Sequence, residues 1–323
     1  MTHDDLFEKR VVSIVIPVFN GSHTIRKLVS QCIQAFERYF ELEIILVNDC
    51  SEDDSYNVCL SVQKNFPNKI TFLSLSRNFG EHNAVMAGLH HSNGDFVVTL
   101  DDDGQNPPFE ALNLINYALK HKLDVVYSSY SKKNHNFVRN IYSWLNGKVA
   151  TLMLGKPVGL YLSSFRSMSR FMVQEIIKYD LPFPYVDGLI MRTTSNIGTL
   201  ETKHKTRISG KSGYTFKKLF GIWLNMFTNF SVLPLRIASF LGFLFALVGM
   251  LIGSFTLYER FFNPHLPMGW ATIAVLCSIL AGVQLMALGM IGEYLGRMFM
   301  GMNRQPQFVV RDLRSRNTEI PRK

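Results

Sequence analysis

Two long stretches near the C-terminus contain no charged residue, and they restrict the architecture of this 323-residue chain more than any other feature. The first covers 237–258 and the second 266–292. A helix that crosses a bilayer needs about 20 predominantly apolar residues, and in lipid a helix satisfies its own backbone hydrogen bonds. We therefore predict two transmembrane helices within 233–300. The alternative is a buried helical hairpin of a soluble domain.

Basic residues flank these two stretches unevenly. The connector 259–267 holds one acid and one arginine, whereas 203–236 holds seven Lys and Arg residues and no acid, and 301–323 is basic as well. The positive-inside rule therefore predicts a multi-pass membrane protein with both termini in the cytoplasm. The net charge of +9 lies on these flanks, which favours a lipid bilayer as partner and not nucleic acid.

A third membrane feature is predicted just before the first stretch. Within 214–232, apolar side chains recur at helical spacing, with lysine and asparagine elsewhere around the turn. An amphipathic helix of this kind beside a span is typical of one that lies in the membrane interface. The alternative is an ordinary helix that faces a protein core. The apolar positions are Phe216, Leu219, Phe220, Trp223, Phe227 and Phe230.

The first 130 residues follow a different pattern, in which short apolar runs alternate with helical segments. The runs cover 11–18, 43–47, 70–74, 95–100 and 124–128, and the helical segments lie near 22–40, 53–65, 80–91 and 107–121. Such alternation predicts an α/β domain with a parallel sheet. Ligands of these sheets bind beyond the carboxyl ends of the strands. Polar residues occur at those ends: Asn20, Asn48, Asp49, Arg77, Asn78 and Asp101 to Asp103.

The acidic triplet after the fourth apolar run is the clearest candidate site. Asp101 and Asp103 alternate with Asp102 in an extended segment, so both can point the same way and hold one divalent ion with Gln105. A few hard oxygen ligands suit Mg²⁺ or Mn²⁺ that is also bound by a substrate diphosphate. The alternative is that Asp103 or Asn106 caps the following helix, although a cap needs only one such residue.

The nucleotide-binding motifs of two other enzyme classes are missing. No G-x-G-x-x-G follows the first apolar run, and no G-x-x-x-x-G-K-[ST] occurs in the chain. This argues against a dinucleotide oxidoreductase and a P-loop hydrolase. A nucleoside diphosphate sugar fits better, because a metal at the triplet would stabilise the departing diphosphate.

Five segments taken together resemble one enzyme family. They are VVSIVIPVFN (11–20), VNDCS (47–51), SRNFG (76–80), LDDDGQNPP (100–108) and GEYLGR (292–297). Over nearly the whole chain they resemble the family 2 glycosyltransferases that load sugars onto polyisoprenyl phosphates. The similarity is greatest to the bacterial bactoprenol glucosyltransferases and aminoarabinose-type transferases, and dolichyl-phosphate mannose synthase is more distant. The resemblance implies a cytoplasmic GT-A (Rossmann-like) nucleotide-sugar domain in 1–213 and, after the membrane helices, a basic cytoplasmic tail in 301–323.

The resemblance also implies individual site residues. The nucleotide pocket is matched by Pro17, Asn20 and Asp49, and we expect Arg77 and Asp102 to join it. The metal-binding D-x-D-x-Q is matched by Asp101, Asp103 and Gln105. The acceptor phosphate site is matched by Arg139 and Ser143, and a loop that closes over the phosphates is matched by Arg207, Lys211 and Ser212. The expected catalytic residues are Asp101, Asp103, Arg139 and Arg207. Alternatively, Arg139, Arg207 and Lys211 face anionic lipid.

Four positions depart from the family pattern. Gly21 stands where Glu is frequent, Asn48 where Asp is frequent, and Gly104 where Leu is usual. Ser164 precedes Phe165-Arg166 where many relatives have Asp, which removes a candidate general base. Activity does not require that base, because a phosphate monoester has its second pKa at about 6 and can attack without giving a proton to a side chain.

The expected function is metal-dependent, inverting transfer of a sugar to undecaprenyl phosphate. The reaction would occur at the cytoplasmic face of the bacterial inner membrane and serve cell-envelope or lipopolysaccharide modification. A homo-oligomer is possible. One alternative is a processive polysaccharide synthase, although the Q-x-x-R-W signature is absent and two spans are few for a channel. The other is a non-catalytic membrane subunit that binds nucleotide sugar.

Overall fold

The computed structural model of the chain describes residues 10–129, 160–203, 233–262, 269–303, 305–315 and 318–320. The chain divides into two compact units, Met1–Thr215 with Arg304–Lys323, and Phe216–Asn303. The predicted interfacial helix, 214–232, lies outside the described residues.

The first part of the first unit alternates strands and helices as predicted. All five predicted strands and all four predicted helices are confirmed, with bounds that differ by a few residues at their ends. The elements are β1 (Val11–Val18), α1 (Ile25–Phe36), β2 (Glu41–Asn48), α2 (Ser55–Asn65), β3 (Ile70–Leu75), α3 (Glu81–His90), β4 (Phe96–Thr99), α4 (Pro108–His121) and β5 (Val125–Ser129).

The centre of the sheet is parallel and covered on both faces. β1 pairs with β2 and β4, and β2 pairs with β3, all in parallel. Ile14 and Ile16 of β1 share a buried cluster with apolar residues of α1, α2 and α4. Val15 points to the opposite face, where a Cβ on Gly88 of α3 would collide with its Cγ1. Glycine therefore lets α3 pack directly on the strand beside the carboxyl edge.

The sheet is mixed beyond β4, so the prediction of a wholly parallel sheet was wrong there. β6 (Arg166–Ser169) runs antiparallel between β4 and β5, and β7 (Ile197–Glu201) pairs in parallel with β5. Two short helices, α5 (Arg170–Ile176) and α6 (Val186–Thr193), separate β6 from β7. β6 has the sequence RSMS, which carries no apolar alternation, and its strand conformation depends on pairing with two neighbours.

Part of the predicted basic tail belongs to this sheet. β8 (Val310–Ser315) pairs antiparallel with β3, and β9 (Thr318–Ile320) pairs with β8. Among the described residues the nine strands follow the order β7-β5-β6-β4-β1-β2-β3-β8-β9. Asp312 of β8 is buried and accepts a hydrogen bond from the Tyr56 hydroxyl at 2.6 Å. Gln307 donates to the carbonyl oxygens of Tyr179 and Leu181.

The second unit contains two long helices, α7 (Leu233–Phe262) and α8 (Trp270–Met302). The two predicted apolar stretches are thus helical where they are described. Within the described residues, Ile279–Met302 is long and apolar enough to cross a membrane, and Phe240–Phe255 is a shorter apolar segment. Large apolar side chains such as Phe243, Leu251 and Leu285 are exposed. Two membrane-spanning helices remain a prediction.

Candidate active site at the carboxyl edge of the sheet

The loop after β1 is tied to the loop after β2. Asn20 lies in the left-handed region at φ 58°, a conformation that asparagine tolerates better than most residues. Its side-chain oxygen accepts a hydrogen bond from the backbone N–H of Glu52 at 2.9 Å, and its backbone N–H donates to Ser51 Oγ at 3.1 Å. Pro17 lies within β1 and pairs in register with Val47 of β2. Pro17 and Asn20 therefore both lie at the carboxyl edge of the sheet.

Asp49 links the loops after β2 and β3. Its side chain is buried, and its two carboxylate oxygens accept the amides of Phe79 at 2.8 Å and Gly80 at 2.9 Å. Arg77 of the same loop lies over the Phe79 ring at 4.6 Å. Asp49 thus fixes the backbone of the loop after β3 at the carboxyl edge of the sheet. Direct contact of Asp49 or Arg77 with a nucleotide remains a prediction.

Asp102 faces the loop after β1. Its Oδ2 accepts the Phe19 amide at 2.9 Å, and a Cβ on Gly21 would lie 2.5 Å from the same oxygen. A larger residue at position 21 would push Asp102 away from this hydrogen bond. Glycine at position 21 leaves room for this close approach of Asp102.

Asp101 and Asp103 lie in the turn between β4 and α4. The Asp101 Oδ2 accepts a hydrogen bond from Ser164 Oγ at 2.6 Å and a longer one from Asn106 Nδ2 at 3.5 Å. Asp103 Oδ1 accepts a hydrogen bond from the backbone N–H of Gln105 at 3.0 Å, and Gly104 between the two residues has φ 71°. Glycine at position 104 therefore allows the left-handed turn that follows the triplet.

The charge around Asp101 fits a divalent cation. Burial, and then the negative charges of Glu81 and Asp103, raise the pKa of Asp101 to about 7, against the lowering effects of Ser164 and Arg166. A carboxylate that is desolvated beside like charges would be stabilised by a bound cation. Among the described residues no group of three or more His, Cys, Asp and Glu side chains is arranged to hold a metal. The two carboxylates and the Gln105 amide oxygen would therefore need oxygen ligands from a diphosphate, as is usual for Mg²⁺.

A buried polar cluster beside the acidic turn was not predicted from the sequence. Arg166 of β6 is 2% exposed and forms an ion pair with Asp187 of α6, which also accepts the Tyr127 hydroxyl at 2.8 Å. The His82 ring packs edge-on against Tyr185, and burial lowers the pKa of His82 to about 4, so the ring is neutral at neutral pH. The Phe165-Arg166 pair was a sequence signal for this region, but Asp187 comes from a distant segment.

The remaining predicted site residues cannot be placed. Arg139, Ser143, Arg207, Lys211 and Ser212 lie outside the described residues. The acceptor phosphate site and its closing loop therefore stay predictions.

Comparison with known proteins gives consistent relatives over more than nine-tenths of the chain. The family model described as glycosyl transferase family 2 matches residues 13–177. Three relatives share the name undecaprenyl-phosphate 4-deoxy-4-formamido-L-arabinose transferase. That from Photorhabdus laumondii is 29% identical and covers 93% of both chains. That from Shewanella sediminis is 30% identical over 94% of this chain and 92% of its own. That from Sodalis glossinidius is 31% identical over 95% and 94%.

Solved structures of low sequence identity share the fold. Glucosyl-3-phosphoglycerate synthase from Mycobacterium tuberculosis, in complex with Mn²⁺, UDP and glucosyl-3-phosphoglycerate, superposes with a TM-score of 0.51 at 15% identity, over 69% of this chain and 78% of its own. Its complex with Mn²⁺, UDP-glucose and phosphoglyceric acid gives 0.51 at 16% identity, over 67% and 77%. The predicted GT-A fold is thereby confirmed.

Proposed function

The chain belongs to glycosyl transferase family 2, and from this membership we propose that it transfers a sugar from a nucleoside diphosphate donor to undecaprenyl phosphate. The relatives that cover more than nine-tenths of the chain are named for that acceptor. The observation that carries the proposal is that hydrogen bonds join three loops at the carboxyl edge of the sheet to the acidic turn. Asn20 ties the loop after β1 to the loop after β2, and Asp49 ties the loop after β2 to the loop after β3. Asp102 ties the acidic turn to the loop after β1. Ligands of parallel α/β sheets bind beyond this carboxyl edge, which makes it the expected donor site.

On this proposal Asp101, Asp103 and Gln105 hold Mg²⁺ or Mn²⁺. When bound, the metal neutralises charge on the departing diphosphate. The hydrogen bonds of Asp49 and Asn20 hold the nucleotide side of the pocket in place before the donor arrives, so that binding orders fewer loops. Asp102 fixes the β1 loop beside the metal residues.

The acceptor phosphate attacks the anomeric carbon from the face opposite the diphosphate, which inverts that centre. The lipid phosphate is largely ionised at neutral pH, so no side chain has to remove a proton. This suits a chain with Ser164 in the position where many relatives have Asp. We assign orientation of the acceptor phosphate to Arg139, Ser143, Arg207, Lys211 and Ser212, as the family pattern implies.

The membrane part of the proposal follows from the two helices and their flanks. α7 and α8 would both span the bacterial inner membrane, with the transferase domain and both termini in the cytoplasm, and 214–232 would lie in the interface. The product would carry a sugar into cell-envelope or lipopolysaccharide glycans. An apolar helix within the described residues and the basic flanks support this topology.

A direct assay tests the function. Purified protein in detergent is incubated with undecaprenyl phosphate, Mg²⁺ and a panel of UDP- and GDP-linked sugars that includes UDP-4-deoxy-4-formamido-L-arabinose, and the lipid product is weighed by mass spectrometry. We expect one donor to give a glycosylated lipid phosphate with release of the nucleoside diphosphate. Donor binding without any lipid product across the panel would support the non-catalytic subunit instead.

A further inference from the structure

Ser164 makes the shorter of the two hydrogen bonds that described residues donate to Asp101. Its hydroxyl lies 2.6 Å from Oδ2, and the second donor, Asn106 Nδ2, reaches the same oxygen at 3.5 Å. We propose that Ser164 is a positioning residue for the metal: its hydrogen bond to Oδ2 fixes the orientation of the Asp101 carboxylate, so that Oδ1 is directed to the divalent cation. The inference deepens the proposed function and rests on its metal site.

The backbone around Ser164 is fixed by the sheet. The Thr99 hydroxyl of β4 donates to the Ser164 carbonyl, and Thr99 pairs in register with Arg166 of β6. Phe165 between them is fully buried, and its carbonyl accepts the Ser128 amide at 3.1 Å. Asp101 lies two residues after the end of β4, and Ser164 lies two residues before the start of β6. The pairing of these two strands therefore holds the two residues side by side.

A hydroxyl suits this position for an electrostatic reason. Asp101 already lies near Glu81 and Asp103, and both are negatively charged neighbours. A third carboxylate at position 164 would add repulsion, whereas a hydroxyl donates a hydrogen bond to a charged oxygen without adding charge. Groups that orient a metal ligand in this way typically change metal affinity by about 10- to 100-fold when they are removed.

The test measures metal binding and not only turnover. Mn²⁺ affinity in the presence of UDP is measured by the loss of the free Mn²⁺ electron paramagnetic resonance signal for the full chain in detergent. The variants are Ser164→Ala, Ser164→Thr and Ser164→Cys. The matched control is Ser163→Ala, which removes the neighbouring hydroxyl that accepts the Phe165 amide.

We expect Ser164→Ala to weaken Mn²⁺ binding by about 10- to 100-fold, with an unchanged circular dichroism spectrum. At a saturating metal concentration the variant should recover most of the wild-type kcat. Ser164→Thr keeps the hydroxyl and should bind close to wild type, as should Ser163→Ala. If Ser164→Ala does not fold, Ser164→Cys, which is close in shape and a weak donor, should show the same weakened binding.

The outcomes separate this proposal from the function it rests on. Equal Mn²⁺ affinity of wild type and the folded Ser164→Ala or Ser164→Cys variant would overturn the role of Ser164 and leave the transferase proposal standing. A wild-type protein that glycosylates the lipid but binds no Mn²⁺ with UDP would overturn the metal site and this inference together. A protein that binds Mn²⁺ in a Ser164-dependent way but makes no lipid product would contradict only the function.

Discussion

Asp101 is a residue whose charged form is unfavourable in the folded protein without metal. Its pKa is raised from an ordinary value of 3.8 to about 7, first by burial and then by Glu81 and Asp103. The folded state therefore binds its proton more tightly than the unfolded state. Stability contributed by the protonated form is present at low pH and is lost as the pH rises from about 4 to about 7, the reverse of a salt-bridged aspartate.

Asp101→Asn should consequently stabilise the metal-free protein at high pH. We expect the midpoint of thermal unfolding in detergent and EDTA to rise at pH 8 and to rise less at pH 5, by about 2–4 °C for each kcal/mol recovered. The same variant should lose transfer. A lower midpoint at pH 8, or the same increase at both pH values, would show that Asp101 is not under electrostatic strain.

Asp103 and Asp102 should differ in their effect on catalysis although they are adjacent. Asp103→Asn should lower transfer on the order of a hundredfold, because a charged ligand that stabilises the leaving diphosphate is lost. Asp102→Asn should cost less, because an amide oxygen can still accept the Phe19 amide. Initial rates of lipid glycosylation measure both, and excess EDTA should abolish wild-type transfer. Equal losses in the two variants would argue against a metal role specific to Asp103.

At the scale of elements, local pattern predicted those strands and helices that carry their own periodicity. β1 to β5 and α1 to α4 were found because their apolar runs and helical segments are visible in the sequence. β6 (RSMS) and β8 (VRDLRS) were missed as strands, since pairing with β4 and β3 determines their conformation. The same cause limited the prediction of the site residues. Asp101 to Asp103 follow a visible strand, whereas the Ser164 contact and the Asp187 ion pair depend on β6 entering between β4 and β5.

The attachment of β8 to the sheet can be measured through one hydrogen bond. Tyr56→Phe removes the hydroxyl that donates to Oδ2 of the buried Asp312, while Arg314 Nε still donates to Oδ1 of that carboxylate at 3.1 Å. We expect unfolding to become easier by about 1–3 kcal/mol in urea denaturation. In an Asp312→Asn background the effect of Tyr56→Phe should shrink, as a double-mutant cycle would show. Additive losses would mean that the two side chains are not coupled.

For the whole molecule, the predicted membrane topology can be tested by the accessibility of introduced cysteines. In a variant without the four native cysteines, a cysteine introduced at Asn263 should react with an impermeant thiol reagent in intact cells, because the connector 259–267 is predicted to be outside the cytoplasm. A cysteine at Asn317 should react only after lysis. The opposite pattern would overturn the positive-inside assignment, and protection of both sites would favour a buried hairpin.

The return of the chain to β3 after α8 also sets an order of events during synthesis. The strands that cover this edge of the sheet, β8 and β9, leave the ribosome after both long helices. Until then the edge of β3 is unpaired and can form hydrogen bonds with a strand of another chain. A nascent chain that stalls or is truncated before residue 310 would hold both long helices and an unfinished sheet. Synthesis of β8 therefore covers an edge of the sheet that would otherwise promote aggregation.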